Sequence, residues 1–344
     1  MYNIGVFPGK FSPPHRGHLN AILQASTQCE LLYVVVSFNQ CLEEEMYSKC
    51  TYKMPTMKQR AKWLSIELSN FNHIKVVMLN EDNIPMYPNG WEEWSKTLKN
   101  LIPHNIDVIF GGEEQYADEG YTKYFPQTKY EVYDTNRTEY PICATDIRNN
   151  PYKHWEYILG SARPHFVKKV LIIGTESTAK TTLTKMLAKI FNTSWAEEEG
   201  RYYSEKYLGK NEDVFELDDF YNITLKQREL EDLAIKNANK IVLLDTDATI
   251  TQYYCNMYLG EMNPKVETMI DPSRYDLVLY LKPDVKWVDD GLRFSGEQNL
   301  RDSLDKELLN MFYDRGFNNI QIINGDYHTR LNKAIEICKG EING

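Results

Sequence analysis

A run of apolar residues that ends in a glycine turn and opens into a helix start occurs twice in this chain. It appears at "NIGVFPGKFSPPHRGH", Asn3 to His18, and at "KKVLIIGTESTAKTT", Lys168 to Thr182. A strand feeding a helix N-terminus through a phosphate-sized loop belongs to parallel sheets covered by helices. Two such starts in 344 residues call for two sheets, each with its own buried core.

The periodicity agrees. "LLYVVVSFN", "IKVVMLN", "DVIFGGEE" and "YEVYDT" read as strands after the first start, separated by helical stretches such as "GHLNAILQAS", "MKQRAKWLSIELSN" and "WEEWSKTLKNLI". "TDIRNNPYKHWEYI" reads as a short helix interrupted at Pro151. "LGSARPHF" carries Gly and Pro between two periodic segments and marks the boundary. After it come the strand "KKVLIIG", a helix from about Lys180 to Phe191, a long helix over "DDFYNITLKQRELEDLAIKNANK", and the strands "IVLLDTD", "DLVLYLKP" and "IQIING". The expected fold class is α/β, two doubly wound parallel-sheet domains over 1–160 and 161–344.

Composition narrows the partners. Lys+Arg number 39 against 49 Asp+Glu, a net charge of -10 that opposes general binding to nucleic acids or anionic membranes. The longest apolar runs are strand-length, and no signal peptide precedes the first strand. The six cysteines, Cys29, Cys41, Cys50, Cys143, Cys255 and Cys338, contain no C-x-x-C pair, which suits a reducing cytoplasm without a disulfide framework or zinc cage.

At the first start, His15 and His18 are one turn apart at a helix N-terminus, where backbone N–H groups and the helix dipole already favour an anion. Lys10 adds a cation. Gly9 and Gly17 let backbone approach a ligand, and Pro13 and Pro14 stiffen the entry. A lone histidine would be read as a cap or a packing residue. Here G-x-F-x-P-x-H-x-G-H is filled at every fixed position and resembles the signature of nucleotidyltransferases of the HIGH superfamily. "ATDIRNNP" resembles that family's second motif, with Thr145 and Arg148 matching and Cys143 and Ala144 replacing its usual polar pair. The resemblance implies a Rossmann-like domain in which Lys10, His15, His18 and Arg148 are catalytic and Phe7, Gly9, Gly17 and Thr145 hold nucleotide. Class I aminoacyl-tRNA synthetases share the superfamily, but the domain lacks room for a tRNA-binding apparatus and a recognisable KMSKS loop.

"GTESTAKT", Gly174 to Thr181, has P-loop spacing in the required strand–helix context. Its amides would wrap phosphates, Lys180 would reach the β- and γ-phosphates, and Thr181 would ligate Mg²⁺. Ala179 stands where glycine is usual, which leaves open a loop that binds nucleotide without turning it over. "IVLLDTD" sets Asp245 and Asp247 at a strand end; either serves as Walker-B carboxylate or base, or the pair simply closes a strand.

"PNGWEEW" and "FGGEEQYADE" in the first half resemble the NadR-type bifunctional proteins, and the order of motifs along nearly the whole chain follows that family. By this resemblance Trp91 stacks on a nicotinamide ring, while Trp94 is read as core. Asn39 ends a strand where open α/β sheets place ligands, and reads equally as a turn residue. "WVDDGLRF" with Arg293 and "NLRDSL" with Arg301 resemble the family's phosphate-closing lid; otherwise they form an ordinary charged loop. "WAEEEGRYYSEKYLG" resembles its acceptor segment through Glu198 and Arg201, with Tyr202 in place of a second acid; the same charges would suit a solvated helix face.

The resemblance implies two activities using ATP and Mg²⁺. The first domain would transfer AMP from ATP to nicotinamide mononucleotide, giving NAD and pyrophosphate. The second would phosphorylate ribosylnicotinamide, binding ATP through Gly174, Ser177, Thr178, Ala179, Lys180, Thr181, Thr182, Arg293 and Arg301, with Thr181 and Asp245 on the metal, Lys180 and Asp245 catalytic and Asp247 the other candidate base. The alternative reading gives the first domain a different phosphorylated acceptor and makes the second a nucleotide sensor. Some family members carry an N-terminal helix-turn-helix; this chain begins at the catalytic strand, so no DNA-binding role is expected. A homo-oligomer is compatible with the acidic chain.

Overall fold

A computed structural model describes residues 1–133, 138–285 and 298–343. The chain forms two compact units, Met1–Phe166 and Val167–Gly344, so the division falls six residues beyond the 160/161 boundary read from the Gly/Pro-rich stretch.

The first unit runs β1 (Tyr2–Gly9), α1 (Arg16–Ser26), β2 (Cys29–Phe38), α2 (Gln40–Tyr47), α3 (Met57–Glu67), β3 (Ile74–Asn80), α4 (Trp91–Leu101), β4 (Val108–Gly111), a short α5 (Thr122–Tyr124), β5 (Lys129–Val132), α6 (Ala144–Asn149) and α7 (Arg163–Phe166). All sheet pairings are parallel, in the order β3-β2-β1-β4-β5. β2 is apolar along almost its whole length because both faces are covered: Leu32, Val34, Val35 and Val36 are fully buried. The chain works outward from β1 to β3, then returns to β4 on the other side of β1. That reversal opens a crevice at the strand C-termini, and the Gly9–His18 loop lies there. α6 ends at Asn149, and its C-cap Asn150 is extended, as the ring of Pro151 disfavours helical geometry in the residue ahead of it.

The second unit runs β6 (Lys168–Ile173), α8 (Lys180–Ile190), β7 (Trp195–Ala196), α9 (Glu199–Tyr207), α10 (Leu217–Lys236), β8 (Ile241–Asp245), α11 (Ala248–Leu259), α12 (Pro264–Glu267), β9 (Leu277–Leu281), α13 (Gln298–Asp314), β10 (Ile320–Ile323) and α14 (Tyr327–Asn343). Its sheet is also parallel, in the order β10-β9-β6-β8-β7. β8 and β9 are buried throughout. α14 joins the core by burying Ala334 and Cys338 among Leu183 and Leu187 of α8 and the strands beneath. Among the described residues no helix is long and apolar enough to cross a membrane.

Candidate active sites

The crevice of the first unit holds a cavity of about 1000 Å³. Phe7, Gly9, Lys10, His15, Gly17, His18, Asn39, Trp91, Thr145 and Arg148 all line it. The residues read separately from β1, β2, α4 and α6 therefore meet around one space.

The two histidines form a reciprocal cap. His15 is the N-cap of α1 and His18 its third residue; His18 N donates to His15 Nδ1 at 3.4 Å and His15 N to His18 Nδ1 at 3.3 Å. The rings stack at 3.6 Å between centroids. With Nδ1 accepting, the proton of each neutral ring belongs on Nε2, so both rings present an N–H donor. Gly17 leaves room beside them, since a Cβ there would approach the His15 ring to 3.2 Å and Tyr140 to 3.3 Å.

Arg148 is anchored at both branches: Nη2 donates to Thr145 Oγ1 at 2.7 Å and Nη1 to the Ser12 carbonyl. Ser12 in turn donates through Oγ to Glu43 Oε2 at 2.9 Å. Glu43 pairs with Arg60 at 2.7 Å, both side chains wholly buried, and Arg60 also donates to the Lys10 carbonyl. Burial pushes the Glu43 carboxyl up and the Arg60 guanidinium down, each opposed by the other's charge. This pair, from α2 and α3, grips a loop in which Phe11 adopts a positive φ of 49°. Nothing in the sequence reading singled it out; the only signal is an Arg and a Glu inside helices whose inner faces are otherwise apolar.

Asn39 is a helix-starting residue at the cavity wall. It caps α2 by accepting from Leu42 N at 3.0 Å, donates to the Glu81 carbonyl at 3.2 Å, and still lines the cavity. Trp91 is held by the edges of Trp94, Tyr116 and Tyr121, with centroids at 5.8, 5.7 and 5.1 Å. Gly120 makes room for it, since a Cβ there would sit 2.3 Å from the indole. Trp94 is core, 9% exposed, and donates from Nε1 to Glu81 Oε1 at 2.9 Å.

The second unit has a cavity of about 500 Å³ lined by Glu176, Ser177, Thr178, Ala179, Lys180, Thr181 and Thr182 together with Glu198, Arg201, Phe215, Tyr254 and Tyr258. Gly174 starts the loop at φ 153°, and a Cβ there would meet the Leu281 carbonyl oxygen at 2.5 Å. Ala179 takes φ 67°, the left-handed conformation that a glycine would adopt freely, so the loop keeps its course despite the substitution. Thr178 Oγ1 and Lys180 Nζ both donate to the Thr175 carbonyl, at 2.8 and 3.1 Å. From α14, the buried Arg330 donates to the carbonyls of Thr178, Lys282 and Gly325 at 2.7, 2.6 and 2.7 Å, and pairs with Asp284. Sequence reasoning missed this clamp, because an arginine in an amphipathic C-terminal helix looks like a surface residue.

Asp245 accepts from Thr181 Oγ1 at 2.6 Å through Oδ2, while its buried Oδ1 has no hydrogen-bond partner among the described residues. Burial, then the Glu198 charge, push its carboxyl up to about 6 against the pull of Lys180. Asp247 has a different role from the one the motif suggested. It is the N-cap of α11, with Oδ1 accepting from Ile250 N at 3.2 Å and Oδ2 from Thr249 Oγ1 at 2.8 Å, and it does not line the cavity. Arg301 also differs from its lid reading: it is buried on α13, donates to the Val285 carbonyl at 3.3 Å, and does not line the cavity. Arg293 lies outside the described residues. Among the described residues no group of three or more His, Cys, Asp or Glu side chains gathers as a metal cage.

A histidine-paired nucleotidyltransferase cleft on one parallel sheet and a P-loop on another define a two-domain nucleotide-handling enzyme. Family models divide the chain in the same way: a cytidylyltransferase-like model matches residues 6–150 and an AAA-domain model residues 169–330. The trifunctional NAD biosynthesis/regulator protein NadR of Escherichia coli (strain K12) is 33% identical over 340 residues, 98% of this chain and 82% of that protein. Its namesake in Salmonella typhimurium (strain LT2) is 33% identical over 341 residues, 98% of this chain and 83% of that one. A crystal structure of a NadR protein in complex with NR superimposes with a TM-score of 0.84 at 29% identity, covering 100% of this chain and 97% of that one. Another, in complex with NAD and AMP-PNP, gives 0.83 at 29% identity with the same coverage. This chain belongs to the NadR family.

Proposed function

We propose that the first unit joins ATP to nicotinamide mononucleotide, giving NAD and pyrophosphate, and that the second phosphorylates ribosylnicotinamide with ATP, so that the product of one site is the acceptor of the other. The observation that carries this reading is the polarity of the first cavity: Lys10, His15, His18 and Arg148 line it together with the aromatic cluster around Trp91. A phosphorylated nucleotide with a flat ring needs both. The relatives solved with NR and with NAD and AMP-PNP support the same choice.

In the first unit, a phosphate oxygen of the mononucleotide attacks the α-phosphorus of ATP. The bond to the bridging oxygen breaks and pyrophosphate leaves with that electron pair. No proton need move; the task is to orient two anions and to neutralise charge as it builds. The two imidazole Nε2–H groups, Lys10 and Arg148 supply fixed donors, and the Arg148–Ser12–Glu43–Arg60 chain holds them in register. Phe7, Gly9, Gly17 and Thr145 form the nucleotide wall, and Trp91 offers a ring for the pyridine.

In the second unit, the 5′-hydroxyl of the riboside attacks the γ-phosphorus, the bond to the β–γ bridging oxygen breaks, ADP leaves with that electron pair, and the hydroxyl proton passes to a carboxylate beside it. The P-loop amides and Lys180 hold the phosphates. Glu198, unlike Asp247, lines the cavity and is the carboxylate we assign to the attacking hydroxyl; Arg201 lies on the same acceptor side. Thr181 and Asp245 would hold Mg²⁺, which the orphaned Asp245 Oδ1 fits. When bound, the ion would neutralise phosphate charge. Six free thiols suit a cytoplasmic setting.

The test is a paired assay with ATP and Mg²⁺, with nicotinamide mononucleotide in one reaction and ribosylnicotinamide in the other, following NAD and mononucleotide by chromatography. NAD from the first and mononucleotide from the second are expected. NAD alone would leave the P-loop unit as a nucleotide sensor, and neither product would overturn the nicotinamide reading.

A further inference from the structure

The first cavity is lined by charges of both signs. Its described Lys and Arg lining residues, Lys10 and Arg148, follow β1 and lie on α6, beside the histidine pair. Of the acids that line it, Glu139 accepts from Asn20 and Gln24 of α1, whereas Glu81 and Glu113 follow β3 and β4, on the side of the aromatic cluster. Tyr121 connects them. Its ring packs on Trp91 at 5.1 Å, and its hydroxyl is pushed up first by burial and then by Tyr130, Tyr116, Glu81 and Glu113.

Glu81 is the better placed of the two acids. Its backbone is tied down at both ends, its N–H donating to the Phe38 carbonyl at 2.7 Å and its carbonyl accepting from Asn39 Nδ2 at 3.2 Å. Trp94 donates to Oε1 at 2.9 Å, and Oε2 accepts no hydrogen bond from a described residue. Glu113 is exposed and already accepts from Gln115. A half-buried carboxylate held against an aromatic slot, with one oxygen left to accept, suits a ligand that brings an N–H donor and repels one that brings a second carboxylate.

We propose that Glu81 is a specificity-determining residue of this cavity: it accepts from a neutral carboxamide on the pyridine ring and excludes the otherwise identical ring bearing a carboxylate. This rests on the reading of the cavity as a pyridine mononucleotide site. Selection acts through charge, since amide and acid are nearly isosteric and the surrounding rings cannot separate them by shape. The phosphate of the acceptor is accommodated beside Lys10 and Arg148, so one cavity attracts an anion at one place and rejects an anion at another.

The experiment compares kcat/KM for nicotinamide mononucleotide and nicotinate mononucleotide, with ATP and Mg²⁺, in the full chain and in the Glu81→Gln and Glu81→Asp variants. The native chain is expected to prefer the amide by roughly 100-fold, the scale of a like-charge clash in a partly desolvated site. In Glu81→Gln, which removes the charge and keeps a carbonyl acceptor, kcat/KM for the acid relative to that for the amide should rise by about tenfold. Glu81→Asp keeps the charge and should keep the preference. An unchanged ratio in the Gln variant, or a preference lost in the Asp variant, would overturn the assignment of Glu81. Equal use of both nucleotides by the native chain would overturn selection itself, and NAD or its acid analogue from neither would overturn the acceptor reading on which it stands.

Discussion

The two phosphate loops are held by different means. The first is gripped from helices that follow it closely in sequence: Glu43 of α2 and Arg60 of α3 form a buried ion pair that reaches the Ser12 hydroxyl and the Lys10 carbonyl. The second is gripped from the far end of the chain, where Arg330 of α14 donates to the Thr178 carbonyl from behind. Both clamps are guanidinium groups aimed at backbone oxygens, whose fork of N–H donors can satisfy several carbonyls at once. They differ in what balances the charge. Arg60 has a wholly buried partner, whereas Arg330 pairs with Asp284, which is 41% exposed. Removing a partner should therefore be more damaging in the first unit than in the second.

The largest effect is expected from Glu43→Ala, which leaves Arg60 charged and buried and should destabilise the first unit by about 3–5 kcal/mol. A Glu43→Met, Arg60→Met double variant should recover much of that loss, and Asp284→Ala should cost the second unit far less. Urea unfolding of the three variants checks this; equal losses at Glu43 and Asp284 would remove the distinction between the clamps.

Next in size are the loops' own cations. Lys180→Ala should lower ribosylnicotinamide phosphorylation by roughly 10²–10³-fold while NAD formation stays within about twofold, and Arg148→Ala should do the reverse. Assaying both products for each variant sharpens the comparison, because a variant that depresses both would mean that the two sites do not act separately.

How much of this was legible in the sequence follows the same division. The cradles could be read because their chemistry is local: histidines one turn apart at a helix start, or a lysine and threonine after a glycine-bounded loop, declare themselves through spacing. Trp91, Asn39 and Arg148 were legible because strand ends and a motif placed them, and the cavity collects all three. The residues that hold the cradles were not. Arg60, Glu43 and Arg330 occupy helices whose pattern predicts only a core face and a wet face, and pairing across the fold leaves no trace in spacing. Asp247 shows the opposite failure: the motif around β8 named two carboxylates, but the chain also had to start α11, and the second acid caps it. The short α2 escaped the strand-and-helix reading, although its N-cap Asn39 stood in plain view.

Buried carboxyls give a smaller, pH-dependent contrast. In the second unit Glu231 is almost wholly buried between Arg274 and Tyr275, and burial raises its carboxyl to about 7, against the pull of Arg228 and Arg274. A folded-state value above the unfolded one means that the native state binds the proton more tightly. The stabilisation is therefore complete below the unfolded value near 4.5 and is lost as pH rises towards 7, by about 3 kcal/mol at most. The urea midpoint of the second unit should fall between pH 5 and pH 8, and Glu231→Gln should flatten that slope. A slope unchanged in the variant would place the titration elsewhere.

The smallest effect concerns Ala179. Left-handed geometry brings an alanine Cβ against its own backbone at about 1–2 kcal/mol, strain that glycine lacks. Glycine gives back part of the difference through a freer unfolded chain. Ala179→Gly should thus raise stability by about 1 kcal/mol or less, and its backbone needs no rearrangement because Ala179 already sits at φ 67°. For the same reason phosphorylation of ribosylnicotinamide should change by less than about twofold, since the amides of the loop point where they did before. A tenfold rise would mean that the Cβ obstructs the phosphates directly, and the second loop would then be weakened by its own sequence, not merely strained by it.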